Sequence, residues 1–545
     1  MRVIGFFARN APYRLLISIA IGVAGGLGSA GLLAAFTNVL KNADRHSSFT
    51  WGYILLALCL MLPLTRFASE IILMRLTQRE FCGLRMRLSM RITQAALRDV
   101  EILGTERLMA AFGEDIPKTM YGLSIVPEVC INLAISIGGL VYLGCLSWRV
   151  LLVVLGFLVL GILFNQLPAL WAMKFFKVAH QASEALFGHL KDLIGGVKEL
   201  KLHSLRKTIF LSEILRNTAN SRRNSFVAAF DIYSIAASFG QMLVFIAIGL
   251  MLFSSIAGRP STAILAGTVI TLLYITQPLQ LFMNGLPFLA NADVALQRFE
   301  TLVRQLEKPG VQEQTQEIVE RVQFKCEELT LKTVTYAYHS YETRECFFLG
   351  PIDMSLKAGE LVILAGGNGS GKTTLAKVIT GLYPAESGEV LMDGQKITGE
   401  QQEFYRQHFS AIFYDSYLFE SLLGLEIPDL DSEARKGLAR LELGHKVTIK
   451  NGVFSTTQLS QGQRKRLALL TSIFEDRPIY VFDEWAANQD RRFREYFYRE
   501  FLPELKAKGK IILVICHDDH YFDVADRIIK VESGKIIYDG VPSVS

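Results

Sequence analysis

Cysteine is scarce and unpatterned: seven residues, at 59, 82, 130, 145, 326, 346 and 516, with no C-x-x-C among them. An odd count without that spacing argues against a disulfide framework or a zinc site and favours free thiols. Net charge is also low, a formal +5 from 57 basic and 52 acidic residues, which gives no nucleic-acid footprint. No nucleic-acid partner is expected. What is abundant is apolar surface: 50% hydrophobic residues and a mean hydropathy of +0.29 are too apolar for an ordinary soluble enzyme. Part of the chain is expected to lie in lipid.

The apolar stretches are long. Leu15 to Leu40 follows Arg2, Arg9 and Arg14; its length exceeds the roughly 7–15 residues of a signal-peptide core, so it is expected to stay as a membrane helix. Trp51 to Leu73, Val126 to Leu146, Val150 to Trp171, Ile232 to Ile256 and Ile264 to Leu286 each come near the roughly 20 residues that a bilayer requires. Six spans are predicted. Lys and Arg concentrate in the two long joints, Thr77 to Ile125 and Met173 to Asp231, which places those joints and both termini on the cytoplasmic side. Helical periodicity, as in Leu84, Leu88 and Ile92, makes the joints extensions of the membrane helices. Short cross-helices are expected at Glu101 to Phe112 and Leu200 to Leu211, where glycines interrupt the pattern. In the sixth span Tyr274, Gln277, Gln280 and Asn284 recur at three, three and four. That spacing points to one face lining a polar cavity or hydrogen-bonding to neighbouring helices.

Beyond a charged stretch with Pro309-Gly310, the pattern changes to short apolar runs alternating with helices, the mark of an α/β core. The expected layout is a transmembrane domain over 1–300, a linker over 301–321 and a nucleotide-binding domain over 322–545. Within the last, Gly366-Gly367-Asn368-Gly369-Ser370-Gly371-Lys372-Thr373-Thr374 follows the run Leu361 to Ala365 and fits G-x-x-x-x-G-K-[ST]. Backbone N–H groups of such a loop turn inward around phosphate oxygens, Lys372 reaches the β/γ-phosphates, and the Thr373 hydroxyl can ligate Mg²⁺. ATP and Mg²⁺ are the expected cofactors. The strand Ile479 to Phe482 ends in Asp483-Glu484, two carboxylates suited to hold Mg²⁺ and to act as general base on the attacking water, respectively.

Leu459-Ser460-Gln461-Gly462-Gln463, ahead of a basic helix, resembles the LSGGQ signature of ATP-binding cassette (ABC) proteins, with Gln461 in place of the first glycine. In that family the signature of one domain closes over ATP held by the phosphate loop of another. The resemblance therefore implies that Ser460 and Gly462, with Gln463 in the same motif, meet the γ-phosphate in trans, and that the chain is a homodimer. It also implies adenine stacking by Tyr338, with Tyr336 as an alternative, a γ-phosphate contact from His517, and a dimer-crossing loop at Asp490. Two departures stand out. Tyr414 occupies the place of the family's glutamine, which puts the metal shell in doubt, and Trp485 replaces a small residue after the catalytic glutamate.

Six spans ahead of one cassette are similar to an ABC exporter half-transporter, a membrane helical bundle fused to an α/β P-loop cassette. The blocks Asp483 to Asp490 and His517 to Phe522 resemble, more narrowly, bacterial exporters of the pyoverdine, syringomycin and microcin type. The implied function is ATP-driven export of a modified or cyclic peptide, or a peptide siderophore precursor, across the bacterial inner membrane, with an outer-membrane partner left open. A lipid flippase and an ATP-binding sensor without transport are the alternatives. Only Met1 to Arg14 precedes the first span, so no leader-peptidase domain is expected there.

Overall fold

The computed structural model describes residues 5–6, 12–41, 47–253, 262–307, 324–339, 346–425 and 429–542. The chain divides into two compact units, residues 1–85 with 111–299, and residues 86–110 with 300–545.

The described residues of the first unit form helices, interrupted at Ser147, Gly196 and His203. Its long elements are α1 (Pro12–Lys41), α2 (Ser47–Gln94), α4 (Ile116–Leu146), α5 (Trp148–Gly195), α7 (Arg216–Phe253) and α8 (Thr262–Leu306). Both α2 and α5 have 48 residues, or about 72 Å at 1.5 Å per residue, more than twice a bilayer core of about 30 Å. The long joints are thus the same helices continued, as their periodicity implied. Among the described residues, five helical stretches are long and apolar enough to cross a membrane, and the first part of α5, Trp148–Phe164, is a shorter apolar helix at the place of the fourth expected span. The end of the fifth expected span, 254–256, falls outside the described residues.

The cross-helices lie earlier than expected. After α2 the chain breaks at Ala95 and Ala96, and α3 (Leu97–Leu103) ends at Gly104, followed by a short helix, Thr105–Ala110. Alanine is the best helix former, so nothing local marks that break. On the second joint, α5 ends at Gly195 and α6 (Val197–Leu202) precedes Ser204–Ile209. By compactness α3 belongs with the second unit. There Glu101 accepts from Lys377 Nζ at 2.8 Å and from the Tyr383 hydroxyl, while Arg98 meets Glu386 at 3.3 Å and lies over the Tyr336 ring.

The rest of the second unit is an α/β fold. An antiparallel sheet of order β2-β1-β4-β5 comprises β1 (Glu328–His339), β2 (Cys346–Lys357), β4 (Ser387–Met392) and β5 (Gln395–Lys396). A six-stranded sheet of order β12-β11-β3-β10-β9-β6 holds β3 (Leu361–Ala365), β6 (Phe409–Ile412), β9 (Ile479–Asp483), β10 (Ile511–Ile515), β11 (Arg527–Glu532) and β12 (Lys535–Gly540). All neighbours in it run parallel except β12. Every residue of β3, β9 and β10 is buried, as central parallel strands covered on both faces require. Ile515 pairs with Leu364 on one side and Asp483 on the other. The segments leaving these three strands consequently emerge side by side at the carboxyl edge, where open α/β sheets bind ligands. Of the expected linker, 301–306 continue α8 and 308–321 lie outside the described residues. The six described cysteines are all free.

Candidate functional site

The glycine loop joins β3 to α9 (Lys372–Ile379). Gly366 and Gly371 adopt φ values of 148° and 102°, and a Cβ on them would sit 2.2 Å from the Val531 carbonyl and 2.7 Å from the Phe347 ring. Both positions demand glycine. Lys372, 6% exposed, donates from Nζ to the Gly366 and Gly367 carbonyls at 3.0 and 2.8 Å, which draws the loop around its own ammonium. Burial pushes that ammonium below its ordinary pKa, against the opposing pull of Glu484 and Asp483. A cavity of about 380 Å³ lies at the loop, bordered by Phe347, Asn368, Gly369, Lys372, Thr373, Thr374 and Glu484.

Across the sheet edge, the Thr373 hydroxyl donates to Asp483 Oδ2 at 3.0 Å. Asp483 is 1% exposed, and among the described residues its Oδ1 is buried without a hydrogen-bond partner. Burial raises the pKa of this carboxyl, with the Thr373 hydroxyl pulling it down. An orphaned carboxylate oxygen beside a hydroxyl suits a hard cation, and Mg²⁺ is typically held by one or two such groups plus phosphates. Glu484 sits at φ 48°, the left-handed region, with its Oε1 2.7 Å from His517 Nε2. The strained backbone at this position is pinned from two sides: its N–H donates to the Ile515 carbonyl at 3.2 Å and its own carbonyl accepts from Lys465 Nζ at 2.8 Å.

The signature residues begin α11 (Gln461–Glu475). Ser460 is its N-cap, its hydroxyl accepting from Gln463 N and the Gln463 side chain accepting from Ser460 N, both at 3.4 Å. Gly462 packs so closely under the segment after β9 that a Cβ would lie 2.7 Å from the Asn488 carbonyl. Gln489 Nε2 donates to the Gly462 carbonyl at 3.0 Å. Asp490 caps α12 (Arg491–Tyr496) by accepting from Phe493 N at 2.9 Å, and also meets Arg466. That backbone bond, with Arg466 behind it, holds its pKa below the usual carboxylate range.

A model of the ABC transporter family matches residues 349–487. ATP-binding protein SyrD of Pseudomonas syringae pv. syringae is 33% identical over 97% of this chain and 94% of its own length. The chain belongs to the ABC exporter half-transporters. The ATP-dependent lipid A-core flippase of Escherichia coli K12 is 26% identical over 67% of the chain and 62% of its own length. A solved bacterial Atm1-family ABC exporter with ATP bound superposes with a TM-score of 0.73, covering 98% of this chain and 95% of that one, at 16% identity. That last likeness concerns the fold alone.

The exporter's cassette is an ATPase coupled to transport, and its site gathers Lys372, Thr373, Asp483, Glu484 and His517 at one sheet edge. Tyr338 lies in β1 opposite Phe347, but its side chain is outside the described residues. The alternative adenine partner fails: Tyr336 is fully buried and stacked on Tyr383, with centroids 4.9 Å apart. Sequence reasoning missed Phe347, which borders the phosphate loop; its cue was its place one hairpin partner away from Tyr338. It also missed Lys465, 4% exposed in α11. Lys465 Nζ lies 4.9 Å from the Tyr414 ring centroid, and its carbonyl accepts from Trp485 Nε1 at 2.9 Å. The two departures from the family pattern, Tyr414 and Trp485, thus both contact one buried lysine that braces Glu484. The Tyr414 ring caps that ammonium, and the Trp485 indole fills the core against Phe497, with ring centroids 4.4 Å apart.

Proposed function

We propose that two copies of this chain export a modified or cyclic peptide, or a peptide siderophore precursor, from cytoplasm to periplasm across the bacterial inner membrane. What carries the proposal is likeness to SyrD at 33% identity over 97% of the chain, membrane helices included, together with the motif blocks around Asp483 and His517. The cation-rich long joints support a cytoplasmic position for both termini.

At each ATP site the loop from Gly366 to Thr374 holds the phosphates, Thr373 and Asp483 hold Mg²⁺, and Tyr338 stacks on adenine. Mg²⁺, when bound, neutralises charge on the transferring phosphoryl group. Glu484 takes the proton of the attacking water, oriented by His517 at 2.7 Å. Ser460, Gly462 and Gln463 of the second copy complete the pocket, with Asp490 at the shared border. ATP binding closes the pair and hydrolysis reopens it, a cycle that moves the membrane helices between two states.

Two measurements test this. ATP-dependent uptake of a peptide and siderophore panel into inverted vesicles should single out a cargo that also stimulates hydrolysis. With the native cysteines replaced, Ser460→Cys and Asn368→Cys chains mixed together should cross-link under ATP and vanadate; no cross-link in any nucleotide state would rule out the shared pocket. A second reading, lipid flipping, is favoured by the 26% identity to the lipid A-core flippase. Hydrolysis stimulated by lipid and indifferent to every peptide would select it.

A further inference from the structure

His517 stands on a short segment that one buried side chain ties down at both ends. β10 ends at Ile515, and the next residue, Cys516, is 4% exposed. Its sulfur accepts from the Tyr498 hydroxyl at 3.0 Å and from Asp518 N at 3.3 Å, while the thiol itself donates to the Asp518 carbonyl at 3.5 Å. Both backbone groups of Asp518 are thus drawn back to the strand end, and His517 is held in the bend between them. Four residues on, the Tyr521 ring lies flat on the Tyr498 ring, with centroids 4.2 Å apart and planes 12° apart.

Tyr498, 3% exposed, comes from the π turn Phe497–Phe501 that follows α12. Its hydroxyl grips one end of the segment and its ring the other. Other ties join the same two stretches: Arg494 to Asp518 at 3.7 Å, Arg499 to Asp523 at 2.9 Å, and the Tyr521 hydroxyl to Glu495 at 3.2 Å. The two ion pairs are partly exposed, and such pairs contribute little, whereas a hydrogen bond shielded from water is costly to break. Burial pushes the pKa of the phenol and of the thiol up, so both keep their protons.

The consequence falls on His517, because its Nε2 lies 2.7 Å from Glu484 Oε1. About 1 Å of drift would open that contact, and misplacements of that size can cost about 10²-fold in rate. We propose that Tyr498 is a positioning residue for ATP hydrolysis: through Cys516 and Tyr521 it sets the direction in which His517 meets Glu484. The inference rests on the role proposed above for His517 and extends it to a side chain in the core. Tyrosine supplies a flat ring with a donor at its tip. Phenylalanine keeps the ring and loses the donor, so Tyr498→Phe cuts one tie and spares the other.

The full-length protein in phosphatidylcholine nanodiscs is assayed for phosphate release from radiolabelled ATP, a readout that follows slow variants. Tyr498→Phe should lower kcat about 2–10-fold, the worth of one hydrogen bond, with KM for ATP and the affinity for a fluorescent ATP analogue unchanged. Cys516→Ala should lower kcat as much or more, and Cys516→Ser, which returns an acceptor to the phenol, should recover at least half of that loss. A His517→Gln background decides the route. There Tyr498→Phe should change kcat by less than about 1.5-fold, because the group it aims is gone. A plain stabiliser of the fold would lower the melting temperature and reduce kcat by the same factor in both backgrounds, and that result overturns the proposal. So does an unchanged kcat in Tyr498→Phe, a loss that appears in KM instead, or a Cys516→Ser protein no better than Cys516→Ala. All of these leave the role of His517 standing. If His517→Gln alone keeps the wild-type kcat, that role fails and the positioning fails with it.

Discussion

The cassette concentrates its chemistry in a few consecutive residues, whereas the membrane unit spreads a cavity of about 320 Å³ over four helices, α4, α5, α7 and α8. Residues 366–374 shape a loop by local backbone geometry, and three adjacent strands bring Glu484 and His517 to it. The cavity needs Leu140, Val154, Tyr233 and Asn284 together, none near another in sequence, and each supplies one patch of wall. Function in the first region should therefore fail at single residues, and in the second by degrees.

The largest effect is expected from Glu484→Gln, which removes the proposed base while leaving the loop intact. Phosphate release should fall about 10²–10⁴-fold, with ATP binding by fluorescent nucleotide retained; turnover near the wild-type rate would break the contrast at its strong end. Next comes Lys465→Met, which strips the Glu484 carbonyl of its donor at 2.8 Å. Losing a buried partner costs about 1–3 kcal/mol, so kcat should drop about 10–100-fold if that loss falls on the transition state. Nucleotide affinity should change little, and an equal loss of affinity would make Lys465 a plain stabiliser of the fold.

In the membrane unit Asn284→Ala frees the Tyr233 hydroxyl, which donates to Asn284 Oδ1 at 2.5 Å, a loss of about 0.5–1.5 kcal/mol. Cargo should then half-maximally stimulate hydrolysis at a severalfold higher concentration with the basal rate little changed. An all-or-none loss would show that the bundle too works through one residue. Smallest of all, Glu101→Gln loosens the ion pair to Lys377, itself on α9 behind the phosphate loop. Partly exposed pairs contribute about 0.2–1 kcal/mol, and a thermal melt should register a shift of that order.

What could be read from the sequence follows the same division. The loop, the carboxylates, the signature and the alternation of strand and helix were all legible, because their chemistry lies in contiguous spacing. The bracing by Lys465 was not, since α11 and β9 meet only in the folded domain. In the sixth span the expected polar face divides: Gln280 and Asn284 line the cavity with Thr276 and Met283, while Tyr274 and Gln277 do not. Spacing fixed their relative angle on the helix, but which face meets α5 and α7 is a tertiary matter. The break before α3 was hidden for an opposite reason, two alanines whose own preference is to continue the helix.

Trp485 is the chain's only tryptophan beyond residue 171. Its indole is sealed in the core, bonded to Lys465 and next in sequence to Glu484. Any rearrangement of the Glu484 peptide during turnover must alter the surroundings of that fluorophore, while Trp51, Trp148 and Trp171 of the bundle contribute a separate background. The protein thus carries a built-in optical gauge of its own hydrolytic cycle, and stopped-flow emission could time each step without a dye.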